Sequence, residues 1–141
     1  MKNSLLALAM SAALGMSATA FAQTTQLKVG VPFEFIAGDI VLPAGNYDVE
    51  SIDTWGGKAL SIHNVTSNAG TLLLSNSCQL AKTSDSNKLV FFRYDQRYFL
   101  AEIWTAGTNI GRKMSLNQRQ RELARNQQKS EVVLMASGKL R

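Results

Sequence analysis

Between residues 27 and 35 every odd position is apolar (Leu27, Val29, Val31, Phe33, Phe35), with Lys28, Gly30, Pro32 and Glu34 between them. This period of two predicts a half-buried strand. Pro32 has no N–H to give a ladder, so the strand is expected at an edge or bulged there. Ala37-Gly38-Asp39 reads as a turn, 40–42 as a short strand, Pro43-Ala44-Gly45-Asn46 as a second turn and 47–52 as a strand. The segment 53–58, with Gly56-Gly57, is a loop in which Trp55 is expected to lie as a lid on the core. In the next strand, 59–64, Leu60 and Ile62 point inward while Ser61 and His63 point outward. A longer strand is expected over 70–80, with Leu72, Leu74, Cys78 and Leu80 sharing one buried side.

The pattern changes over 89–105, where aromatic and aliphatic residues flank Tyr94-Asp95-Gln96-Arg97. It reads as a hairpin. With Asp95 and Gln96 as the turn, Phe92 faces Phe99, Phe91 faces Leu100 and Arg93 faces Tyr98. Val90, Phe92, Phe99, Ala101 and Ile103 then share one face, and Leu89, Phe91, Tyr98, Leu100 and Trp104 the other. Neither face is polar, so the hairpin belongs in the middle of a packed structure. Beyond it, Ser115 and Gln118 form a capping box for a helix over 116–128, with Leu116, Leu123 and Ala124 as its narrow apolar stripe. The wholly apolar run after Glu131, Val132 to Ala136, predicts a last strand inside a sheet, followed by a frayed tail. Short strands between turn clusters indicate a mainly β fold: a single-domain antiparallel β-sandwich or small closed barrel, with one C-terminal α-helix before the last strand.

The N-terminus obeys another logic. Lys2, an apolar stretch over 5–16 and Ala20-Phe21-Ala22 make residues 1–22 a secretory signal peptide cleaved near Ala22. Residues 23–141 are then one β-rich domain, secreted or periplasmic, and no segment of it has the roughly 20 apolar residues of a membrane span. The chain of 141 residues has a net charge of +5. Most of that excess follows Gly111, in Arg112, Lys113, Arg119, Arg121, Arg125, Lys129, Lys139 and Arg141. This stretch is the candidate surface for an anionic envelope component or another protein, with Arg112, Lys113, Arg119, Arg121 and Arg125 as contacts. Sequence-specific nucleic-acid binding has no motif behind it.

Catalytic chemistry finds little to work with. The single histidine, His63, sits on a polar strand face, and the single cysteine, Cys78, is expected to be a buried, inert thiol. No metal-ligand spacing, nucleophile elbow or phosphate loop occurs, so no cofactor or metal is expected. Asn64-Val65-Thr66 matches a glycosylation sequon. Glu102 lies between Ala101 and Ile103 and, on the pairing above, shares a face with Arg93 and Tyr98. That trio is a structural ion pair or, in a sharper reading, part of a pocket with Glu102 as its acid.

Blocks spread over most of residues 23–141 carry a resemblance. They are Val31-Pro32-Phe33-Glu34-Phe35, Leu42-Pro43-Ala44-Gly45-Asn46-Tyr47, Phe92-Arg93-Tyr94, the run from Arg97 to Trp104, Gly111-Arg112, and Arg119-x-Arg121-Glu122-Leu123-Ala124. In them the chain resembles a group of small exported bacterial proteins of uncharacterised function. Similar chains often carry a glycine at the hairpin turn, where this one has Asp95-Gln96-Arg97. The resemblance implies export and a β-rich single domain; it brings no activity, ligand or site. The sequence alone therefore favours a non-enzymatic binding or envelope-associated module. Its alternatives are a small hydrolase using Glu102 with Asp53 or Asp48, and a protein that self-associates through the edge at 31–35.

Overall fold

The computed structural model describes residues 26–54 and 57–138. The expected lid Trp55, the signal segment and the terminal Lys139 and Arg141 lie outside the described residues. The elements run β1 (Gln26–Val31), β2 (Phe35–Ala37), β3 (Ile40–Leu42), β4 (Gly45–Thr54), β5 (Gly57–Asn64), β6 (Gly70–Gln79), β7 (Lys88–Tyr94), β8 (Arg97–Trp104), β9 (Ile110–Met114), α1 (Gln118–Asn126), β10 (Ser130–Met135) and β11 (Ser137–Gly138). The fold is mainly β. Along the sheet the order is β10-β7-β8-β9-β6-β5-β4-β1-β11, and β2 and β3 form a small hairpin attached to β8.

Two features correct the expected closed barrel and its purely antiparallel pairing. β2 runs parallel to β8 at Ile36 and Phe99, so the sheet is mixed. The sheet is also open. Its two ends are β10, on β7, and β11, on β1, which only Ala136 separates in sequence. The chain leaves the β7 ladder at Ala136, whose N–H donates to Asn87 O, and pairs with β1 only through Ser137 and Gly138. Two residues are too few to carry the β10 ladder across to β1. The expected interior strand is in consequence an end strand: Val132 and Leu134 turn toward the core, while Val133 is 48% and Met135 63% exposed.

The strand expected over 27–35 is two elements. β1 stops at Val31 because Pro32 cannot donate, and Phe35 restarts the chain as β2, paired with Leu42. The 31–35 segment is thus no continuous edge for self-association. On β6 the alternation holds but the side is reversed: Leu73 is the residue packed inward, opposite Leu60, while Leu72 and Leu74 are 60% and 75% exposed. Cys78, of the same parity, lies on the outer face and is half-buried there.

The β7–β8 hairpin has the expected pairs Phe91–Leu100, Phe92–Phe99 and Arg93–Tyr98. Its two faces enter two cores. Leu89, Phe91, Leu100 and Ile103 join Val29, Phe35, Tyr47, Leu60 and other residues in the larger one. Val90, Phe92, Tyr94, Phe99, Ala101 and Trp104 form the smaller one, against Ile36, Cys78 and Leu123 of α1. One correction applies. Val90 pairs with Glu102, not with Ala101, so Ala101 is an extra residue on β8 that inverts the parity of everything after it. Ile103 therefore enters the larger core and Trp104 the smaller, each on the face opposite to expectation.

The hairpin turn forces Asp95 into the left-handed region, φ 54°. An L-residue is disfavoured there by sterics between its Cβ and the next carbonyl. Asp95→Gly is expected to raise the free energy of unfolding by about 0.5–1 kcal/mol, after the entropy that glycine adds to the unfolded chain. Urea unfolding measures it, and a lower midpoint in the variant would contradict the turn geometry.

Candidate functional site

A cleft opens where the β2–β3 hairpin, the β7–β8 turn and the start of α1 meet. Its construction begins at Pro32. By ending β1, Pro32 lets Phe33 leave the strand and stack on Tyr98, with ring centroids 3.9 Å apart and planes inclined by 14°. Phe33 also meets Phe91 edge-on at 5.2 Å, which ties this wall to the larger core. The Arg93 guanidinium lies 5.5 Å from the Tyr98 ring centre. Ile36 and Val41 of the small hairpin continue the apolar lining.

The helix supplies the opposite rim. Asn117, not Ser115, is the N-cap: its Oδ1 accepts from the Gln120 N–H at 2.7 Å while its Nδ2 donates to Gly38 O at 2.6 Å. The second bond decides between the two capping residues, since it ties the helix start to the β2–β3 turn. The helix consequently starts at Gln118 and ends at Asn126, shorter than the expected 116–128. Gln120 is buried and Leu123 packs on the smaller core, whereas Ala124 is exposed and Leu116 precedes the helix. This seating brings Arg119 to the cleft.

The cleft has a volume of about 310 Å³, and Glu34, Arg97 and Arg119 line it beside the apolar residues. A second hollow of about 350 Å³ adjoins it, sharing Ile36, Val41 and Arg119 and adding Asp39, Asn117 and Glu122. Among the described residues neither the Arg97 nor the Arg119 side chain has a hydrogen bond or ion pair. Their neighbours differ: Arg93 Nε donates to Asp95 O at 2.7 Å, Arg112 to Ser77 Oγ at 3.3 Å, and Arg121 to Leu116 O at 3.1 Å.

Of the basic residues singled out in the sequence, Arg119 lines the cleft. Arg112 and Lys113 sit on β9, opposite Ser77 and Asn76, and Arg121 and Arg125 are exposed on the helix outside the cleft lining. Of the trio Arg93, Tyr98 and Glu102, the first two meet and the third does not join them. The bulge at Ala101 turns Glu102 to the outer face, where its Oε2 accepts from Trp104 Nε1 at 2.9 Å. Phe33 and Arg97 are the residues that sequence reasoning missed. Their signals were the Pro32 break and the position of Arg97 directly after the turn.

Of the two carboxylate pairs in the hydrolase reading, Glu102 with Asp48 is not assembled. Asp48 is on β4 and Glu102 on β8, with β5, β6 and β9 between them along the sheet, about 19 Å at the usual strand spacing. Nothing is described of the Asp53 side chain. His63 faces Asp48 across the β4–β5 ladder, Nε2 to Oδ2 3.8 Å, with its side chain 47% exposed. Among the described residues no three His, Cys, Asp or Glu side chains converge as a metal site would require, and no helix is long and apolar enough to cross a membrane. Asn64 of the sequon is buried, and its Oδ1 accepts from Thr66 N, Thr66 Oγ1 and Ser67 N at 2.9–3.1 Å. The amide caps its own turn, away from a glycosylating enzyme.

Burial first, and the Glu102 carboxylate second, push the Cys78 thiol above its ordinary 9.0. The nearby Lys113 and Arg112 charges and the Gly111 backbone pull the other way without prevailing. The folded chain holds this proton more tightly than the unfolded chain. The stability involved is thus full below about pH 9 and is lost as pH rises through the raised value. Alkylation of the folded protein by iodoacetamide is expected to be slower at neutral pH than that of a free thiol and to accelerate only above that ordinary value. Rapid labelling near neutrality would contradict it. Compared with family models, with curated proteins and with solved structures, the chain matches none.

Proposed function

We propose that the chain is an exported, non-enzymatic binding module that attaches to an anionic component of the cell envelope, its curled sheet acting as a sandwich-like shell for the cleft. One observation carries this reading. Two guanidinium groups without an acceptor in the described residues line one hollow beside an aromatic stack. Ligand sites are concave and mostly apolar, with a few polar groups that fix orientation, and the cleft has that composition. The signal-like residues 1–22 and the resemblance to small exported bacterial proteins support export. The separation of Glu102, on β8, from the adjacent His63 and Asp48, on β5 and β4, supports binding over hydrolysis.

Retention of the purified protein on isolated envelope material tests the reading. The wild-type protein is expected to be held at low ionic strength and released at about 1 M salt, where the screening length falls to about 3 Å. Arg97→Ala with Arg119→Ala is expected to abolish retention, and Arg121→Ala with Arg125→Ala to leave it intact. Equal retention of both double variants, or retention indifferent to salt, would overturn the cleft as the attachment site.

A further inference from the structure

We infer that the ligand group taken by the cleft is a carboxylate carried on an apolar body, a small amphipathic monoanion; this rests on the cleft being the binding site. The charge of the lining points to it. Arg97 and Arg119 face the hollow together with one carboxylate, Glu34. Over the lining of this hollow the balance is a single positive charge. A monoanion neutralises it, whereas a phosphate monoester brings a second negative charge against Glu34 and must displace it or leave the repulsion unrelieved. The planar guanidinium fork suits a carboxylate, whose two oxygens it can bond side by side. Neither arginine gives up an internal partner among the described residues to do so.

The rest of the lining fixes the other end of the ligand. Phe33, Phe35, Ile36 and Val41 offer an apolar wall, and Ile36 and Val41 extend it into the second hollow. That hollow carries Asp39 and Glu122. A second anionic group is repelled there, so the ligand is oriented with its carboxylate at Arg97 and its apolar tail along Ile36 and Val41. The volume of about 310 Å³ is at the lower end of small-molecule sites. A short chain fits this cleft; a large lipid overfills it.

Calorimetric titration with octanoate, octanol and octyl phosphate separates these terms, because the three share a tail and differ in head charge. Octanoate is expected to bind to saturation, and octanol and octyl phosphate each on the order of tenfold more weakly. Arg97→Ala and Arg119→Ala should each weaken octanoate on the order of tenfold, with Lys at either position recovering part of the loss. Both arginines are exposed, so the variants are expected to keep the wild-type melting curve. Octanol binding as tightly as octanoate, octyl phosphate binding more tightly, or alanine variants binding octanoate undiminished would each overturn the carboxylate assignment. Absence of binding by all three probes also overturns it. Envelope retention lost in the Arg97 and Arg119 double variant would in that case still uphold the cleft as attachment site, with another ligand class.

Discussion

Phe91 and Phe92 are adjacent in sequence and buried in different cores, and the molecule is arranged to satisfy both. A strand sends successive side chains to opposite faces, so two buried neighbours require cover on each side of the sheet. On one side the curl of β1, β4, β5 and β6 supplies it. On the other, α1 lies over the hairpin with Leu123, and β2, paired alongside β8, adds Ile36. The hairpin is thereby a shared wall between two hydrophobic clusters. Its burial stabilises each, at roughly 1.5–3 kcal/mol for every large side chain removed from water.

The cleft is a by-product of that cover. The pieces that close the outer face are short, and each is pinned by a local device: Pro32 ends β1, Asn117 fastens the helix to Gly38, and the parallel contact at Ile36 docks β2 on β8. Three short pieces leave a gap where they meet. The side chains bordering the gap are Phe33, Arg97, Tyr98 and Arg119, from three different parts of the chain. The bulge at Ala101 matters here too, because it removes Glu102 from the Tyr98 face and leaves the guanidinium groups without that acceptor.

How much was readable in the sequence depends on whether a pattern distinguishes the two sides of a strand. The hairpin pairs were readable since a two-residue turn fixes register, and Leu60 and Ile62 were readable because Ser61 and His63 separate them. The bulge was not, because inverting the parity of a strand apolar on both faces leaves the pattern unchanged. The leucine triplet 72–74 hid the side of β6 for the same reason. Helix capping pointed to Ser115 through its box with Gln118, and it is the distant carbonyl of Gly38 that selects Asn117. In the cleft, Arg119 was visible as part of a basic stretch and Tyr98 as part of the hairpin. Their meeting with Phe33 and Arg97 depends on tertiary packing, of which local spacing carries no trace.

The central claim is that the hairpin is the most protected part of the molecule because both its faces are buried. Native-state hydrogen exchange, followed residue by residue, addresses it directly. The account predicts that those amides of Phe91, Phe92, Phe99 and Leu100 that donate within the β7–β8 ladder exchange only through global unfolding, with α1 and β10 opening far more readily. Exchange of those hairpin amides at rates like those of β10, or earlier than the β4–β5 ladder, would contradict it.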